Sequence, residues 1–252
     1  GLLNSGVTPD DIIVSNPSPE KREALAQKHG IRQTPDNNEA VNFADTVVLG
    51  VKPHLISDVC QTLSAQVDIT GKCFLSVAAG TTVATMQNAL GGNAAVVRTM
   101  PNTPSQLGLG ITGAYPSPEV TPAQKQTSEN LIKAVGEIVW VETESEIDNI
   151  TAVSGSGPAY FFLFMEAMEK TAKDFGFTPE QSRLLVQQTA LGAATMVTKN
   201  DVSISQLREN VTSKGGTTHA ALTSFVEGGL PELVEKSMFA AVARAKEMAK
   251  AN

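Results

Sequence analysis

TVVL at residues 46–49 is the stretch that decides the fold, because a continuous apolar run of this kind is typical of a parallel strand buried on both faces. The same pattern recurs as CFLSV at 73–77 and AVVR at 95–98, with helix-like segments in between. Shorter runs at 12–14 and 138–141 predict a further strand on either side of this set. Strands that alternate with helices at this spacing indicate a doubly wound α/β domain with a parallel sheet.

Capping residues predict where the helices of this half begin and end. Ser18 is expected as the N-cap of a helix that starts at Pro19 and ends near His29, with Gly30 just beyond its C-terminus. The segment 121–124, Thr-Pro-Ala-Gln, has the spacing of a capping box, and the helix that it opens is expected to close at Gly136.

The first six residues, GLLNSG, resemble the end of a helix that Gly6 closes. A doubly wound sheet normally begins with a strand and a Gly-x-Gly-x-x-Gly loop that binds the pyrophosphate of a dinucleotide, and this fingerprint does not occur in the sequence. About 20 further residues would supply a strand, a loop and part of a helix. We therefore expect the natural protein to be longer at its N-terminus.

The composition changes after about Glu144, where β-forming runs give way to Ala, Leu, Met, Glu and Lys. Thr178 and Gln181 have the spacing of a second capping box, and residues 231–250 show helical periodicity. These features predict a dinucleotide-binding domain at 1–144 and an all-helical domain at 145–252.

Composition excludes several classes of function. The chain of 252 residues has a formal net charge of −7 and no basic stripe, which argues against nucleic acid as a partner. Its apolar runs are too short to span a bilayer. Cys60 and Cys73 are expected to be buried free thiols in a reducing cytoplasm, and the three distant histidines give no support for a metal site.

Two turns rich in Gly, Ser and Thr run straight into helix-like segments, at 154–160 and at 212–218. Such a turn leaves backbone N–H groups free at a helix start, where the helix dipole favours an anion. Segments of this kind are also common as simple turns or close helix contacts. Together the two turns favour a site that grips a small carboxylate substrate through backbone groups.

The expected end of the second strand, SNPS at 15–18, lacks the acidic residue that binds the ribose 2′-hydroxyl in NAD-specific sites. Hydroxyl and amide groups stand there instead, with Lys21 and Arg22 just beyond. This combination suits a 2′-phosphate and favours NADPH, with NADH left open. Ser18 can serve this purpose and cap its helix at the same time.

Five strings, in the right order along the chain, resemble pyrroline-5-carboxylate reductases. They are VKP at 51–53, SVAAG at 76–80, RTMPNTP at 98–104, SGSGPAY at 154–160 and VTSKGGTT at 211–218. Each string alone is weak, but the five in register make the resemblance specific. Lys214 departs from it, since Pro is usual at that position, and so does the absence of the Gly-rich loop.

The resemblance implies reduction of a cyclic imine to L-proline by NAD(P)H, the last step of proline biosynthesis. It also implies a cytoplasmic enzyme with a Rossmann domain and a helical domain that forms a homodimer, which often assembles further, commonly into decamers. Two alternatives stay open: a non-catalytic NADPH-binding regulatory protein, and a related reductase of another imine or a hydroxy acid. The Gly-Gly-Thr-Thr turn argues against a mere interaction protein.

Position by position, the resemblance also assigns site residues. It gives cofactor contacts to Asn16, Ser18, Asn37, Gly50, Val51, Lys52, Pro53, Val77, Ala78, Ala79, Asn102 and Asn210. It gives substrate contacts to Glu144, Ser213, Gly215, Gly216, Thr217 and Thr218. Thr218 is expected to be catalytic, with its hydroxyl hydrogen-bonded to the imine nitrogen.

Three of these residues have a second interpretation. Glu144 can be a solvated surface acid, Asn102 can be a turn residue between two prolines, and Thr218 can cap a helix that starts near His219.

Overall fold

The computed structural model describes residues 1–251, and the chain forms two compact units. The first contains residues 1–156 and the end of the last helix from residue 241 onward, and the second contains residues 157–240. The division into domains at residue 144 remains a prediction.

Residues 1–156 contain seven strands arranged in two sheets. The strands are β1 Ile13–Ser15, β2 Arg32–Thr34, β3 Thr46–Leu49, β4 Cys73–Ser76, β5 Ala95–Met100, β6 Gly110–Pro116 and β7 Gly136–Trp140. β1 and β2 form a parallel pair, and the other five form a sheet in the order β3-β4-β5-β6-β7. All pairings are parallel except that of β5 with β6.

The helices of the chain differ between the two units. The first unit holds α1 Pro19–His29, α2 Asn37–Phe43, α3 Ile56–Gln66, α4 Val83–Ala89, α5 Pro122–Lys133 and α6 Glu146–Ile150. The second is built from α7 Gly157–Asp174, α8 Pro179–Lys199, α9 Ile204–Asn210, α10 Thr217–Glu227 and the start of α11 Leu230–Ala251. Short 3-10 helices occur at Pro9–Asp11, Pro53–Leu55 and Thr103–Leu107, and a π-helical turn at Thr151–Gly155.

The five-stranded sheet is covered by helices on both faces. Alternate residues of β4 point to opposite sides, so that Phe74 packs with α3 and α4 whereas Cys73 and Leu75 pack with Ile132 of α5. All four residues of β4 are buried, as expected for a central parallel strand. This two-sided core confirms the predicted doubly wound domain.

The predicted burial of both faces is wrong for β3. Leu49 is buried on the α3 side, but the side chain of Val48 is 54% exposed. Among residues 1–251, β3 pairs with β4 on one side, and the core on the Val48 face is formed by side chains of β4, β5, β6, β7 and α5.

The predicted parallel sheet also contains one strand that the sequence did not indicate. This strand, β6, runs antiparallel to β5. Gly110 and Gly113 weaken its strand propensity, and Pro116 ends it. Tertiary packing requires Gly113, since a Cβ there would lie 2.5 Å from Cγ2 of Ile150.

Most helix boundaries agree with the capping signals. α1 spans Pro19–His29 with Gly30 in the left-handed region (φ 71°), and the capping box at Thr121 has both of its hydrogen bonds. Two details differ. α5 ends at Lys133, so Gly136 opens β7 instead of closing the helix, and the Ser18 side chain makes no capping hydrogen bond.

The first residues form one turn whose hydrogen bonds are those of a Schellman motif. The N–H of Val7 donates to the carbonyl of Leu2 at 3.1 Å, and that of Gly6 donates to Leu3 at 3.2 Å. Gly6 has a φ of 94°, which favours glycine. The predicted helix end at Gly6 therefore has the right local geometry, although the segment itself is only a turn.

The helical unit leaves many large apolar side chains in contact with solvent. On α7, Phe161 is 71% exposed, and Phe162 and Leu163 beside it are exposed as well. A groove of about 400 Å³ lies between α7 and α8, lined almost entirely by apolar side chains, and Phe164 and Phe225 pack there with ring centroids 5.8 Å apart. No helix within residues 1–251 is both long and apolar enough to cross a membrane.

Candidate active site

The segment after β1 carries the first group of predicted cofactor residues. The side-chain oxygen of Asn16 accepts the N–H of Ser18 at 2.9 Å, and the Ser15 hydroxyl donates to Oδ1 of Asn37 at 2.7 Å. Arg22 reaches back from α1 and donates to the Asn16 carbonyl at 3.2 Å. The structure thus places Asn16, Ser18 and Asn37 in one neighbourhood beside a guanidinium group.

This neighbourhood suits a phosphate group. Its donors are hydroxyl, amide and guanidinium groups, and residues 15–18 carry no carboxylate. The Arg22 guanidinium is further oriented by a 2.7 Å bond from its Nε to Gln33 of β2. Because arginine is well matched to phosphate oxygens, the donor set fits the 2′-phosphate of NADP(H) better than the free hydroxyl of NAD(H).

The segments after β3 and β4 lie side by side at the carboxyl ends of these two strands. The register pairs Leu49 with Ser76, and the N–H of Val77 donates to the Leu49 carbonyl at 3.4 Å. Gly50–Pro53 and Val77–Ala79 therefore start side by side, where open α/β sheets bind their ligands. A Cβ on Gly50 would meet no atom within 4 Å, so this edge has room for a close ligand.

Arg98 forms a buried charge cluster that the sequence interpretation missed. Arg98 lies on β5 and is 4% exposed. One terminal guanidinium nitrogen is 2.9 Å from Oε1 of Glu144, and the other is 3.3 Å from Oδ1 of Asp148. The surface interpretation of Glu144 is therefore wrong, while its assignment to the substrate stays a prediction. A charged residue inside an apolar strand run was the available signal, since a buried cation needs a carboxylate partner.

Asn102 ties three segments of the first unit together. Its side-chain oxygen accepts the N–H of Ile111 on β6 at 3.0 Å, and its amide nitrogen donates to the carbonyl of Ser154 at 3.2 Å. The residue stands just before the 3-10 helix Thr103–Leu107. These bonds support the interpretation of Asn102 as a turn residue, and its contact with the cofactor remains a prediction.

The segment 154–160 is not a free turn. Ser154 and Gly155 belong to the π-helical turn, and the N–H of Ser156 donates to the Thr151 carbonyl at 2.8 Å before α7 begins at Gly157. A Cβ on Gly155 would lie 2.5 Å from Cε of Met100, so this residue packs closely against the end of a flexible side chain. The prediction of an anion-binding turn fails at this position because the helix is nearly continuous.

The turn at 212–218 does end at a helix start, in the second unit. Gly215 has a φ of 73°, and Gly216 is the N-cap of α10. The N–H of Gly216 donates to the Ser213 carbonyl at 3.0 Å, and a Cβ on Gly216 would lie 2.5 Å from Oγ of Ser213. The tight turn thus needs glycine at both positions.

α10 begins at Thr217, not near His219, so Thr218 is its second residue and not its N-cap. The first backbone N–H groups of a helix have no partner within the helix, and they attract anions together with the dipole. The predicted substrate residues of this turn are therefore together, and the half-buried Thr218 side chain lies one residue beyond the helix start. Asn210 ends α9, and its side-chain oxygen accepts a 2.9 Å bond from Gln206.

The two cysteines are free and buried, as predicted. Burial raises the pKa of the Cys60 thiol to about 11 and also raises that of Cys73. Neither thiol is therefore a nucleophile at neutral pH. Among the described residues no group of three His, Cys, Asp or Glu side chains could hold a metal ion.

Comparison with family models matches both halves of the chain. Residues 144–248 match the model described as pyrroline-5-carboxylate reductase dimerisation, and residues 1–80 match the model described as NADP oxidoreductase coenzyme F420-dependent. The first match falls on the helical half and the second on the segment that contains β1 to β4.

Two named relatives match almost the whole chain. Pyrroline-5-carboxylate reductase from Vibrio alginolyticus is 51% identical over 99% of this chain and 92% of the relative. The enzyme of the same name from Pseudomonas aeruginosa is 43% identical over 99% of this chain and 91% of the relative.

Solved structures of pyrroline-5-carboxylate reductases are similar to this chain. The structure of a pyrroline-5-carboxylate reductase from Coxiella burnetii has a TM-score of 0.94 and 43% identity, over 98% of this chain and 92% of that one. The Plasmodium falciparum pyrroline carboxylate reductase with NADP bound has a TM-score of 0.86 and 26% identity, over 98% of this chain and 91% of that one.

Proposed function

The chain belongs to the pyrroline-5-carboxylate reductase family, and from this membership we propose how its own residues work. The protein is an NAD(P)H-dependent oxidoreductase that reduces 1-pyrroline-5-carboxylate to L-proline. The observation that carries this function is the 51% identity along 99% of the chain to a relative of that name. It supports the reductase over a regulatory NADPH-binding protein or a reductase of another substrate.

NADPH is the favoured cofactor, and it supplies the hydride that reduces the imine carbon. The adenosine end would meet Asn16, Ser18 and Asn37, with the Arg22 guanidinium beside the 2′-phosphate. The rest would follow the strand ends at Gly50, Val51, Lys52, Pro53, Val77, Ala78 and Ala79, with further contacts from Asn102 and Asn210. The absence of a carboxylate at 15–18 supports NADPH over NADH.

The substrate carboxylate would be held at the start of α10. Ser213, Gly215, Gly216 and Thr217 form a tight turn there, and the unpaired N–H groups of the first helical turn suit an anion. Glycine at positions 215 and 216 lets a carboxylate approach the backbone without meeting a Cβ. Lys214 adds an exposed positive charge beside this turn.

Thr218 would orient the ring nitrogen of the imine through its hydroxyl. Reduction needs a hydride at the imine carbon and a proton on the ring nitrogen. A protonated imine that enters from solution already carries this proton, so the chain need not supply a general acid. Most of the rate would then come from holding the reacting groups in the correct geometry.

We also propose that the helical domain at 145–252 forms a homodimer, and that dimers assemble further, up to a decamer. The dimerisation model matched at 144–248 and the exposed aromatic residues of α7 support the dimer, since exposed apolar patches of this kind usually mark interfaces. The two free buried thiols support a cytoplasmic location.

The experiment that tests the function is NADPH oxidation by the purified protein with pyrroline-5-carboxylate, followed by absorbance at the nicotinamide band. We expect saturable loss of NADPH with stoichiometric formation of L-proline, and a lower KM for NADPH than for NADH. Tight NADPH binding without turnover would contradict the proposed reaction and favour the regulatory alternative.

A further inference from the structure

Glu144 links two parts of the first unit through a single oxygen atom. Its Oε1 accepts a 2.9 Å bond from the buried Arg98 guanidinium and a 2.8 Å bond from the backbone N–H of Val83. Val83 is the first residue of α4, so this oxygen satisfies one of the N–H groups that a helix leaves unpaired at its start. The bond to Val83 joins the segment after β7 to the start of α4 across 61 residues of sequence, and the bond from Arg98 connects the same oxygen to β5.

Val83 directly follows the segment 77–82, which runs from β4 to α4. The other end of the segment is also fixed from β5, because the Thr99 hydroxyl donates to the Ser76 carbonyl at 2.8 Å. The Ser76 hydroxyl in turn accepts the N–H of Ala78 at 3.3 Å. Two neighbouring residues of β5 therefore hold the two ends of the segment, Thr99 directly and Arg98 through Glu144.

We propose that Glu144 is a positioning residue that fixes segment 77–82 for the cofactor, with Arg98 holding the Glu144 carboxylate in place. The inference rests on the proposed function, since it takes Val77 and its neighbours as cofactor contacts. It also gives Glu144 a role other than binding the substrate, because the oxygen that accepts both bonds is already committed within the first unit.

Asp148 provides a matched control within the same cluster. Its carboxylate also pairs with Arg98, at 3.3 Å, and it is more deeply buried than that of Glu144. Oδ1 of Asp148 accepts its bond from Arg98, whereas the N–H of Val83 at the start of α4 donates to Glu144. Removal of either carboxylate weakens the pairing of Arg98, but only removal of Glu144 releases the start of α4.

The test compares Glu144→Ala, Asp148→Ala and Val83→Pro in the full chain. Proline is well tolerated at the first helical position and Thr82 before it already has extended backbone angles. Val83→Pro therefore removes the N–H, and its ring displaces Oε1 of Glu144 from the start of α4 while Glu144, Asp148 and Arg98 all keep their charges. The measurements are the NADPH Kd by fluorescence titration and the KM for pyrroline-5-carboxylate at saturating NADPH.

We expect Glu144→Ala and Val83→Pro to raise the NADPH Kd about tenfold, which is the scale of one lost hydrogen bond to a charged group. Asp148→Ala should leave that Kd within about threefold, and the imine KM should change little in all three variants. Glu144→Gln, whose amide oxygen still accepts the Val83 N–H, should bind NADPH nearly as the wild type does.

Three results would overturn the inference. They are an unchanged NADPH Kd in Val83→Pro, an equal rise in Asp148→Ala, and a rise confined to the imine KM in Glu144→Ala, which would make Glu144 a substrate ligand. If Glu144→Ala does not fold, Val83→Pro and Glu144→Gln decide the matter. Absence of turnover in the wild type would contradict the proposed function instead, so the two failures are distinguishable.

Discussion

Replacement of Arg98 by Met should destabilise the protein strongly. Met has a similar length and no charge, so the variant keeps most of the packing around β5 and removes the cation. The carboxylates of Glu144 and Asp148 then lose their shared partner, and the Asp148 side chain is only 10% exposed. An unpaired buried carboxylate carries a large desolvation penalty, because the low dielectric of the interior disfavours its charge.

The loss of one partner from a buried ion pair costs about 3–5 kcal/mol. With a urea m-value of about 3 kcal/mol/M, this lowers the unfolding midpoint by about 1–1.7 M. The assay is urea unfolding followed by far-UV circular dichroism, at one protein concentration because an oligomer's stability depends on concentration.

Lys133→Met is the control for this prediction. Lys133 pairs with Glu129 at 2.6 Å on the surface of α5, and its side chain is 52% exposed. Solvent-exposed pairs of this kind contribute little, so the control should keep its midpoint close to that of the wild type. Equal midpoints for Arg98→Met and Lys133→Met would refute the argument that burial makes the Arg98 cluster stabilising.

Three further predictions concern the site and the thiols. Thr218→Ala should lower kcat by about ten- to a hundredfold in the NADPH oxidation assay, the scale of one hydrogen bond to a charged group, and unchanged kinetics would remove Thr218 from the mechanism. Arg22→Ala should raise the KM for NADPH about tenfold and leave that for NADH nearly unchanged, because only NADPH carries the 2′-phosphate; an equal rise for both cofactors would contradict this placement. Burial raises the folded-state pKa of Cys60 to about 11, above the 9.0 of a solvent-exposed thiol, so the stabilisation from burying the neutral thiol is complete below pH 9 and is lost as the pH rises through 11. Urea midpoints between pH 8 and 11 should therefore fall less in Cys60→Ala than in the wild type, and parallel curves would argue against the shift.

Local signals predicted the helices well because capping is a short-range interaction. The boxes at Thr121 and Thr178 have their bonds between residues three apart, and the structure shows both. The left-handed Gly30 at the end of α1 is likewise a property of one residue and its immediate neighbours. β4 and β5 were predictable from short segments as well, because strands that are buried on both faces have apolar residues at nearly every position.

Some of the failures involve partners that are distant in sequence. β6 escaped detection because Gly113 is required by Ile150, 37 positions later, and not by any strand propensity. The segment 154–160 begins within a π-helical turn, and Gly155 of that turn packs on Met100. None of these relationships has a local signature.

The sequence by itself determined the doubly wound domain, the helical half, the family and the glycine turn before α10. Each of these depends on apolar patterns, capping residues or small-residue turns, which are properties of short segments. Only the tertiary structure decided that Glu144 is bound to Arg98 and Val83, 46 and 61 residues away. It also decided that the Ser18 side chain does not cap α1, and that Arg22 of this helix donates to the carbonyl of Asn16 nearby. Ion pairs and backbone contacts of this kind form when strands and helices from distant segments meet, so their partners follow from packing and not from spacing along the chain.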